Sequence, residues 1–297
     1  MHARRAAEMA VRRLNAERIT DSVTYHGEGP CWSEAWGGLR WVDMLAGDVL
    51  SFGADGEVLR KHVGDVVACV RPRAIGGAVL AVETGVALED PDGTVHPAEL
   101  LWEPGAVRMN EGGAGPDGSF YVGSMAWDQA EGAATLWRVD PDLRWEPVLE
   151  GVTVSNGIAW SPDGTLAYYN DTPTGKVDVL DWSEAAGLHG RRTFVVPELA
   201  EGDVHPDGLT VDAEGAVWVA LHGAGQVHRY TADGALDAVV EVGARQTTAC
   251  CLGGEDLRTL YITTSRENLA ADEDPAAGSL FAVRVDVAGL PVLPFEG

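Results

Sequence analysis

Three features of the sequence predict an all-β fold, namely a six-bladed β-propeller with four-stranded antiparallel blades around a central, metal-containing channel. The first is a repeated template in which Asn or Asp precedes a turn Gly by eight residues and a strand with Tyr or Trp follows at once. It occurs at 110–118 (NEGGAGPDG), 156–164 (NGIAWSPDG) and 207–215 (DGLTVDAEG), with a looser copy from Glu28. The second is a spacing of about 40 to 50 residues between successive strand-like runs, close to known blade lengths. The third is a Gly-opened hairpin after most of those runs, so that each unit contains two hairpins, or four strands.

The strand-like runs follow one another along the whole chain, at 37–43, 76–82, 117–123, 163–171, 214–221 and 257–264. Apolar and polar residues alternate in them with the period of two that is typical of strands, and no long helical period interrupts 20–297. A β-sandwich is the competing fold, but six in-phase copies over about 270 residues argue against it. We therefore expect two parts, an N-terminal leader over 1–19 that is helical or disordered and a single propeller over 20–297. The segments near 22–30 and 279–294 are expected to share the blade that closes the ring.

Composition excludes several classes of partner. The chain has 21 Lys and Arg against 46 Asp and Glu, and its net charge of −25 repels nucleic acids and anionic membranes. No stretch is long enough to span a bilayer, and the N-terminus lacks the apolar core of a secretory signal. The four cysteines are too few for a disulfide framework and are expected to be buried thiols in a reducing cytoplasm. We expect a cytoplasmic protein that is a monomer or weak homodimer and acts on a small molecule.

The repeat places oxygen donors at one equivalent position, here called the channel slot, in four units. The slot residues are Glu28, Asn110, Asn156 and Asp207. The slot falls on the first strand of each blade, which in a propeller lines the channel, so the four side chains should converge on its axis. The same count places thiols, Cys69 and Cys250, in the two remaining units. Asn or Asp beside Gly commonly caps a turn, but turn chemistry does not require four copies in register. Carboxylate and amide oxygens suit a hard divalent cation, Ca²⁺ first and Mg²⁺ or Mn²⁺ as alternatives.

A second ring of side chains lies two residues before the slot and faces the same way. Its members are His26, Arg108, Val154 and His205. Arg108 is suited to hydrogen-bonding a polyhydroxylated or anionic ligand. His26 and His205 flank the two slot carboxylates at the same spacing, as HGE and HPD. They are acid–base groups, further ligands that shift metal preference toward Zn²⁺ or Fe²⁺, or hydrogen-bonded residues of the channel wall.

Several segments together resemble the regucalcin/gluconolactonase/luciferin-regenerating-enzyme family of six-bladed propellers. They are GEGPCW (27–32), RMNEGGAGPDGSFYVGSM (108–125), VSNGIAWSPDG (154–164), HPDGLTVDAEGAVWVA (205–220) and TTACCLGG (247–254). The resemblance implies lactone hydrolysis that depends on one divalent metal at the channel mouth. It implies metal ligands at Glu28, Asn156 and Asp207, and substrate contacts at Arg108, Asn110 and Asp128. The chain departs from the family where 110–115 reads NEGGAG instead of Asn-Asp-Gly-Lys-x-Asp, and where Trp127 precedes Asp128.

The slot residues predict a divalent-cation site, and the resemblance implies a hydrolase that uses this metal to open a sugar lactone or related cyclic ester. Asp207 is the candidate to take a proton from the attacking water, with His205 or His26 relaying it. The chain has no GxSxG elbow, Walker loop or HExxH helix to support another mechanism. Two alternatives remain open: a promiscuous ester or organophosphate hydrolase that uses the same site, and a non-catalytic calcium-binding propeller.

Overall fold

Six β-sheets surround a common axis, and each sheet is one blade of a propeller. The computed structural model describes residues 10–53, 55–97, 99–198 and 204–297. Five sheets have four strands and the sixth has five, so the predicted six-bladed fold with four-stranded antiparallel blades is confirmed. The helices among the described residues are three 3₁₀ turns, Glu34–Trp36, Met44–Ala46 and Thr172–Thr174.

The strands are numbered in chain order, beginning with two short N-terminal strands, β1 (Arg12–Asn15) and β2 (Glu17–Arg18). Blade 1 contains β3 (Gly27–Ser33), β4 (Gly38–Asp43), β5 (Asp48–Phe52) and β6 (Val58–His62). Blade 2 contains β7 (Val67–Pro72), β8 (Ala78–Val82), β9 (Gly85–Glu89) and β10 (Glu99–Leu100). Blade 3 contains β11 (Val107–Ala114), β12 (Phe120–Ala126), β13 (Ala134–Val139) and β14 (Trp145–Val152).

The second half of the ring follows the same pattern. Blade 4 contains β15 (Ser155–Trp160), β16 (Leu166–Asp171), β17 (Val177–Ser183) and β18 (Gly187–Val195). Blade 5 contains β19 (His205–Val211), β20 (Val217–His222), β21 (Gln226–Tyr230) and β22 (Leu236–Glu241). Blade 6 contains β23 (Thr247–Gly253), β24 (Thr259–Thr264) and β25 (Phe281–Arg284), and β2 is its fourth strand.

The N-terminal segment differs from the expected leader. Strand β1 pairs in parallel with β22 of blade 5, and β2 pairs antiparallel with β25 of blade 6. The sheet edges of these blades supply the backbone partners, and Arg12 adds an ion pair to Asp237 at 2.6 Å. The expected sharing of a closing blade by 22–30 and 279–294 is wrong, because β3 belongs to blade 1 while β2 and β25 complete blade 6. Residues 1–9 of the expected leader lie outside the described residues.

Apolar side chains pack between the blades, which leaves the channel to polar residues. Trp41 of blade 1 packs in a cluster with Leu280 beside blade 6, and Tyr121 of blade 3 packs with Trp160 of blade 4. The first strand of each blade, the inner strand, lies against the inner strands of its neighbours. The four cysteines are buried free thiols, as predicted. Among the described residues, no helix is long and apolar enough to cross a membrane.

Every inner strand carries a β-bulge at the depth of the channel slot. The pairing register shifts between Glu28/Cys31, Val67/Cys69, Met109/Gly112, Ser155/Ile158, Pro206/Leu209 and Thr247/Cys250. A bulge bends the strand and re-aims its side chains, which explains why the same position repeats as a site of polar residues. The prediction of thiols at the slot is wrong, because Ala68 and Thr248 occupy the bulges of blades 2 and 6. Cys69 and Cys250 lie beyond the bulge, paired with the second strand.

Candidate active site at the channel mouth

Three slot residues form one cluster inside the channel. Glu28, Asn156 and Asp207 are 3%, 5% and 6% exposed. The Nδ2 of Asn156 donates to Oδ1 of Asp207 and, at 3.0 Å, to Oγ1 of Thr172. The Oε2 of Glu28 accepts the N–H of Gly29 at 2.8 Å. Three inner strands from blades 1, 4 and 5 thus bring together the three residues expected to be metal ligands.

The two carboxyl groups of this cluster both have a raised pKa, so their surroundings disfavour the ionised form. Burial, followed by the charges of Asp207 and Glu111, raises the pKa of Glu28 well above its usual value. Burial and the charge of Glu111 raise the pKa of Asp207, while the hydrogen bond from Asn156 opposes that rise. Since each carboxylate disfavours ionisation of the other, a cation placed between them would stabilise both in the ionised form.

The donor set fits a hard divalent cation. The Oδ1 of Asn156 is a buried acceptor that has no hydrogen-bond partner, so one amide oxygen remains open beside the two carboxylates. Oxygen donors of this mixed type are those that Ca²⁺ and Mg²⁺ prefer. No group of three or more His, Cys, Asp or Glu in the described part of the chain could hold a metal without other donors. The amide oxygen of Asn156 is therefore an essential part of the candidate site.

Arg108 and Asn110 form the wall of the channel on blade 3. The Nη1 of Arg108 donates to Oδ1 of Asn110 and to the carbonyl of Met109, both at 2.9 Å. Its guanidinium carbon lies 5.0 Å from the ring centroid of Trp127. The Nδ2 of Asn110 donates to the carbonyl of Ser155 at 3.0 Å, which ties blade 3 to blade 4. Burial lowers the pKa of Arg108 to about 10, so the guanidinium is charged at neutral pH.

The two predicted histidines stand in different environments. Burial, with the charges of Arg108 and His222, lowers the pKa of His26 to about 3, so His26 is neutral at neutral pH. Its Nδ1 lies 2.7 Å from Oγ of Ser265 and 3.4 Å from Oε2 of Glu267. His205 is half-buried at the start of β19 and pairs in register with His222 on β20. A neutral His26 is suited to orienting a ligand more than to carrying a proton.

Asp128 is placed apart from the cluster. It is exposed in the turn after β12, and its Oδ1 accepts the N–H of Ala130 at 3.0 Å. The neighbouring Trp127, which is 43% exposed, is the residue of this turn that contacts Arg108. The structure therefore brings Trp127 to the wall where the sequence suggested Asp128.

Glu111 is a further channel residue that the sequence reasoning missed. It is 5% exposed, and burial raises its pKa to about 7 although Arg71 opposes the rise. Its Oε1 lies 3.4 Å from Nη2 of Arg71, and its Oε2 is buried without a hydrogen-bond partner. The position directly after the slot is glycine in the other three oxygen-bearing blades, Gly29, Gly157 and Gly208. An acidic residue that replaces a template glycine was the available signal.

A cavity of about 530 Å³ opens at the opposite end of the channel. Its walls include Trp32, Trp160 and Leu252, and its buried charged residues are Arg71 and Glu111. The slot residues Glu28 and Asp207 do not line it. Glu111 therefore lies between the candidate cation site and this second, more apolar space.

Comparison with known proteins gives a consistent result. The family described as SMP-30/Gluconolactonase/LRE-like region matches residues 26–266. A Pseudomonas putida protein named 6-deoxy-6-sulfogluconolactonase is 36% identical, over 91% of this chain and 95% of its own length. Bovine (Bos taurus) regucalcin is 32% identical, over 96% of this chain and 99% of its own. The crystal structure of a calcium-binding protein, regucalcin, from Agrobacterium tumefaciens superimposes with a TM-score of 0.89 at 26% identity, covering 97% of this chain and 99% of the other.

Proposed function

Since the chain belongs to the SMP-30/gluconolactonase/LRE-like family, we propose that it is a divalent-metal-dependent lactonase that opens a sugar lactone or a related cyclic ester. The observation that supports this most strongly is the cluster of Glu28, Asn156 and Asp207 with the unpartnered Oδ1 of Asn156. The printed names of the relatives, which include 6-deoxy-6-sulfogluconolactonase, support the same reaction class.

Glu28, Asn156 and Asp207 would hold the cation, with Ca²⁺ favoured by the all-oxygen donors and Zn²⁺, Mn²⁺, Mg²⁺ or Fe²⁺ as alternatives. When bound, the cation supplies a Lewis acid that polarises the carbonyl of the lactone. The amide of Asn156 has two roles in this arrangement. Its Oδ1 is free for the cation, while its Nδ2 fixes the orientation of Asp207.

Asp207 acts as the base in the proposed reaction. It takes a proton from the water whose oxygen bonds to the carbonyl carbon, and the ring C–O bond then breaks. The leaving ring oxygen takes up a proton, and the hydroxy acid that forms releases one at neutral pH. His205 is the better candidate for delivering the proton to the ring oxygen, because the lowered pKa of His26 disfavours its protonated form.

Arg108 and Asn110 orient the ring hydroxyls of the substrate. Arg108 is charged, and its Nη1 already holds the amide of Asn110 in place. Trp127 keeps the guanidinium plane from turning by lying over it. Asp128 remains a proposed substrate contact, one that would have to reach over the channel mouth from its exposed turn.

The wider setting follows from charge and chemistry. We propose a cytoplasmic location, since four free thiols suit a reducing compartment. With a net charge of −25, neither nucleic acid nor anionic membrane is a suitable partner, and the substrate is the proposed partner of a monomer or weak homodimer.

The test is proton release from a panel of aldonolactones by metal-stripped protein, before and after each of the five cations is added separately. Turnover should return with at least one cation, and Asp207→Asn should lose it while remaining folded by circular dichroism. Asp256→Asn, an exposed carboxylate paired with Arg284, is the matched control and should keep full activity. Cation binding without turnover on any lactone, simple ester or phosphotriester would instead support a non-catalytic calcium-binding propeller.

A further inference from the structure

We infer that Glu111 lies beside the cation site, outside its ligand set, and that its charge increases how tightly the divalent cation binds. The inference rests on the proposed function, since it concerns the cation held by Glu28, Asn156 and Asp207.

The position of Glu111 is the first support. It follows the slot residue Asn110 inside the bulge of β11. A Cβ atom built on Gly208 would lie 3.1 Å from Oε2 of Glu111, which places that oxygen beside the backbone of Asp207. The charge of Glu111 acts on both Glu28 and Asp207. The carboxyl group of Glu111 on blade 3 therefore lies near enough to those of blades 1 and 5 to act on them through its charge, although no three acidic groups of the described residues are placed to hold a cation together.

The contacts of Glu111 are the second support. Arg71 reaches only Oε1, through one nitrogen at 3.4 Å, and its other described hydrogen bonds go to the carbonyls of Gly29 and Val70. A structural ion pair would be expected to be shorter and bidentate. Oε2 has no hydrogen-bond partner although it is buried. A buried carboxylate oxygen without a partner near two further carboxyl groups is unfavourable unless the group is protonated or a cation is near.

The arrangement explains why Glu111 matters for affinity rather than for chemistry. It lies on the inner side of the cluster, toward the second cavity, and not with Arg108 at the mouth where substrate enters. Its charge adds attraction for a divalent cation, and the charge of Arg71 subtracts from it. Removing the charge of Glu111 should therefore weaken cation binding, and removing the charge of Arg71 should strengthen it.

The experiment is calorimetric titration of metal-stripped protein with Ca²⁺ and with Mn²⁺. Glu111→Gln, which keeps the shape, should weaken binding by about 10- to 100-fold, the range seen when groups that support a metal site are removed. Arg71→Met should tighten binding, and Arg71→Lys, which keeps the charge, should leave it near wild type. Glu89→Gln is the matched control, because Glu89 is equally buried but is paired with Arg40 and Lys61 far from the channel slot.

Each result has a definite meaning. An unchanged dissociation constant in Glu111→Gln, or weaker binding in both Glu111→Gln and a folded Arg71→Met, would overturn the inference in favour of a structural ion pair. If Arg71→Met does not fold, the comparison of Glu111→Gln with Glu89→Gln decides alone. Absence of cation binding by the wild-type protein would refute the proposed metal-dependent function itself, which distinguishes that failure from failure of the inference.

Discussion

Replacing Glu111 with Gln should make the metal-free protein less sensitive to alkaline pH. The folded-state pKa of Glu111 is about 7, against 4.5 for an exposed glutamate, because burial disfavours the charged form. The folded protein therefore binds this proton more tightly than the unfolded chain does. The resulting contribution to stability is fully present below pH 4.5 and is lost as the pH rises through 7.

The size of the effect follows from the shift in pKa. At about 1.36 kcal/mol per unit, the rise from 4.5 to about 7 corresponds to about 3 kcal/mol in the free energy of unfolding. Gln does not titrate, so the stability of Glu111→Gln relative to wild type should increase by about that amount between acidic and alkaline pH. Arg71 loses its partner in the variant, but Arg71 is charged throughout this range and adds only a constant offset.

The assay is urea denaturation of chelator-treated wild type and Glu111→Gln between pH 5 and 8.5. Other titrating groups are common to both proteins, so the difference between the two free energies isolates Glu111 and the neighbours that it repels. A difference that stays constant across this range would refute the reasoning, because it would mean that Glu111 has an ordinary pKa in the folded protein.

Three further predictions concern packing, a buried ion pair and the substrate wall. Gly208→Ala should lower the free energy of unfolding by about 1–3 kcal/mol, because its new Cβ would lie 2.4 Å from an alanine Cβ on the next inner strand. The control is denaturation of Gly105→Ala, where the atom nearest to the new Cβ is 3.8 Å away. Asp212→Ala should cost about 1–3 kcal/mol, because the buried Nε of Arg229 and the indole N–H of Trp218 lose their acceptor while Arg229 keeps its other carboxylate partners. An equal loss of Tm in Asp256→Ala, at the exposed pair, would contradict this. Arg108→Lys should raise KM for a sugar lactone about tenfold with a smaller change in kcat, since the planar guanidinium contacts are lost; unchanged steady-state kinetics would remove it from the wall.

The sequence predicts the blade count and the converging slot because both are periodic. A template that repeats once per blade indicates which positions line the channel. That repeat was enough to predict three residues of the cluster, Glu28, Asn156 and Asp207. A bulge in each inner strand sets the depth of the slot residue in the channel, and the period of two along a single strand does not reveal a bulge. This is why the prediction put the thiols of blades 2 and 6 at the slot, whereas they lie one or two residues beyond it.

The parts that sequence reasoning missed depend on contacts between distant segments. Strands β1 and β2 have four and two residues, too few for a period to be recognised, and they form because blades 5 and 6 offer free edges. The low pKa of His26 comes first from burial and then from the charges of Arg108 and His222, which belong to two other blades. Glu111 was missed because the template treats its position as a glycine, whereas its partner Arg71 belongs to blade 2.

The way in which β2 completes blade 6 has a consequence for how the chain acquires its structure. Glu17 and Arg18 pair with Ala282 and Phe281, so one strand of blade 6 is synthesised long before the strand it pairs with. A growing chain on the ribosome therefore carries β2 without its partner until β25 has emerged. Because pairing across such a long stretch of sequence slows folding, ring closure should be a late and slow event, detectable as delayed protection of the β2 amides in pulsed hydrogen exchange.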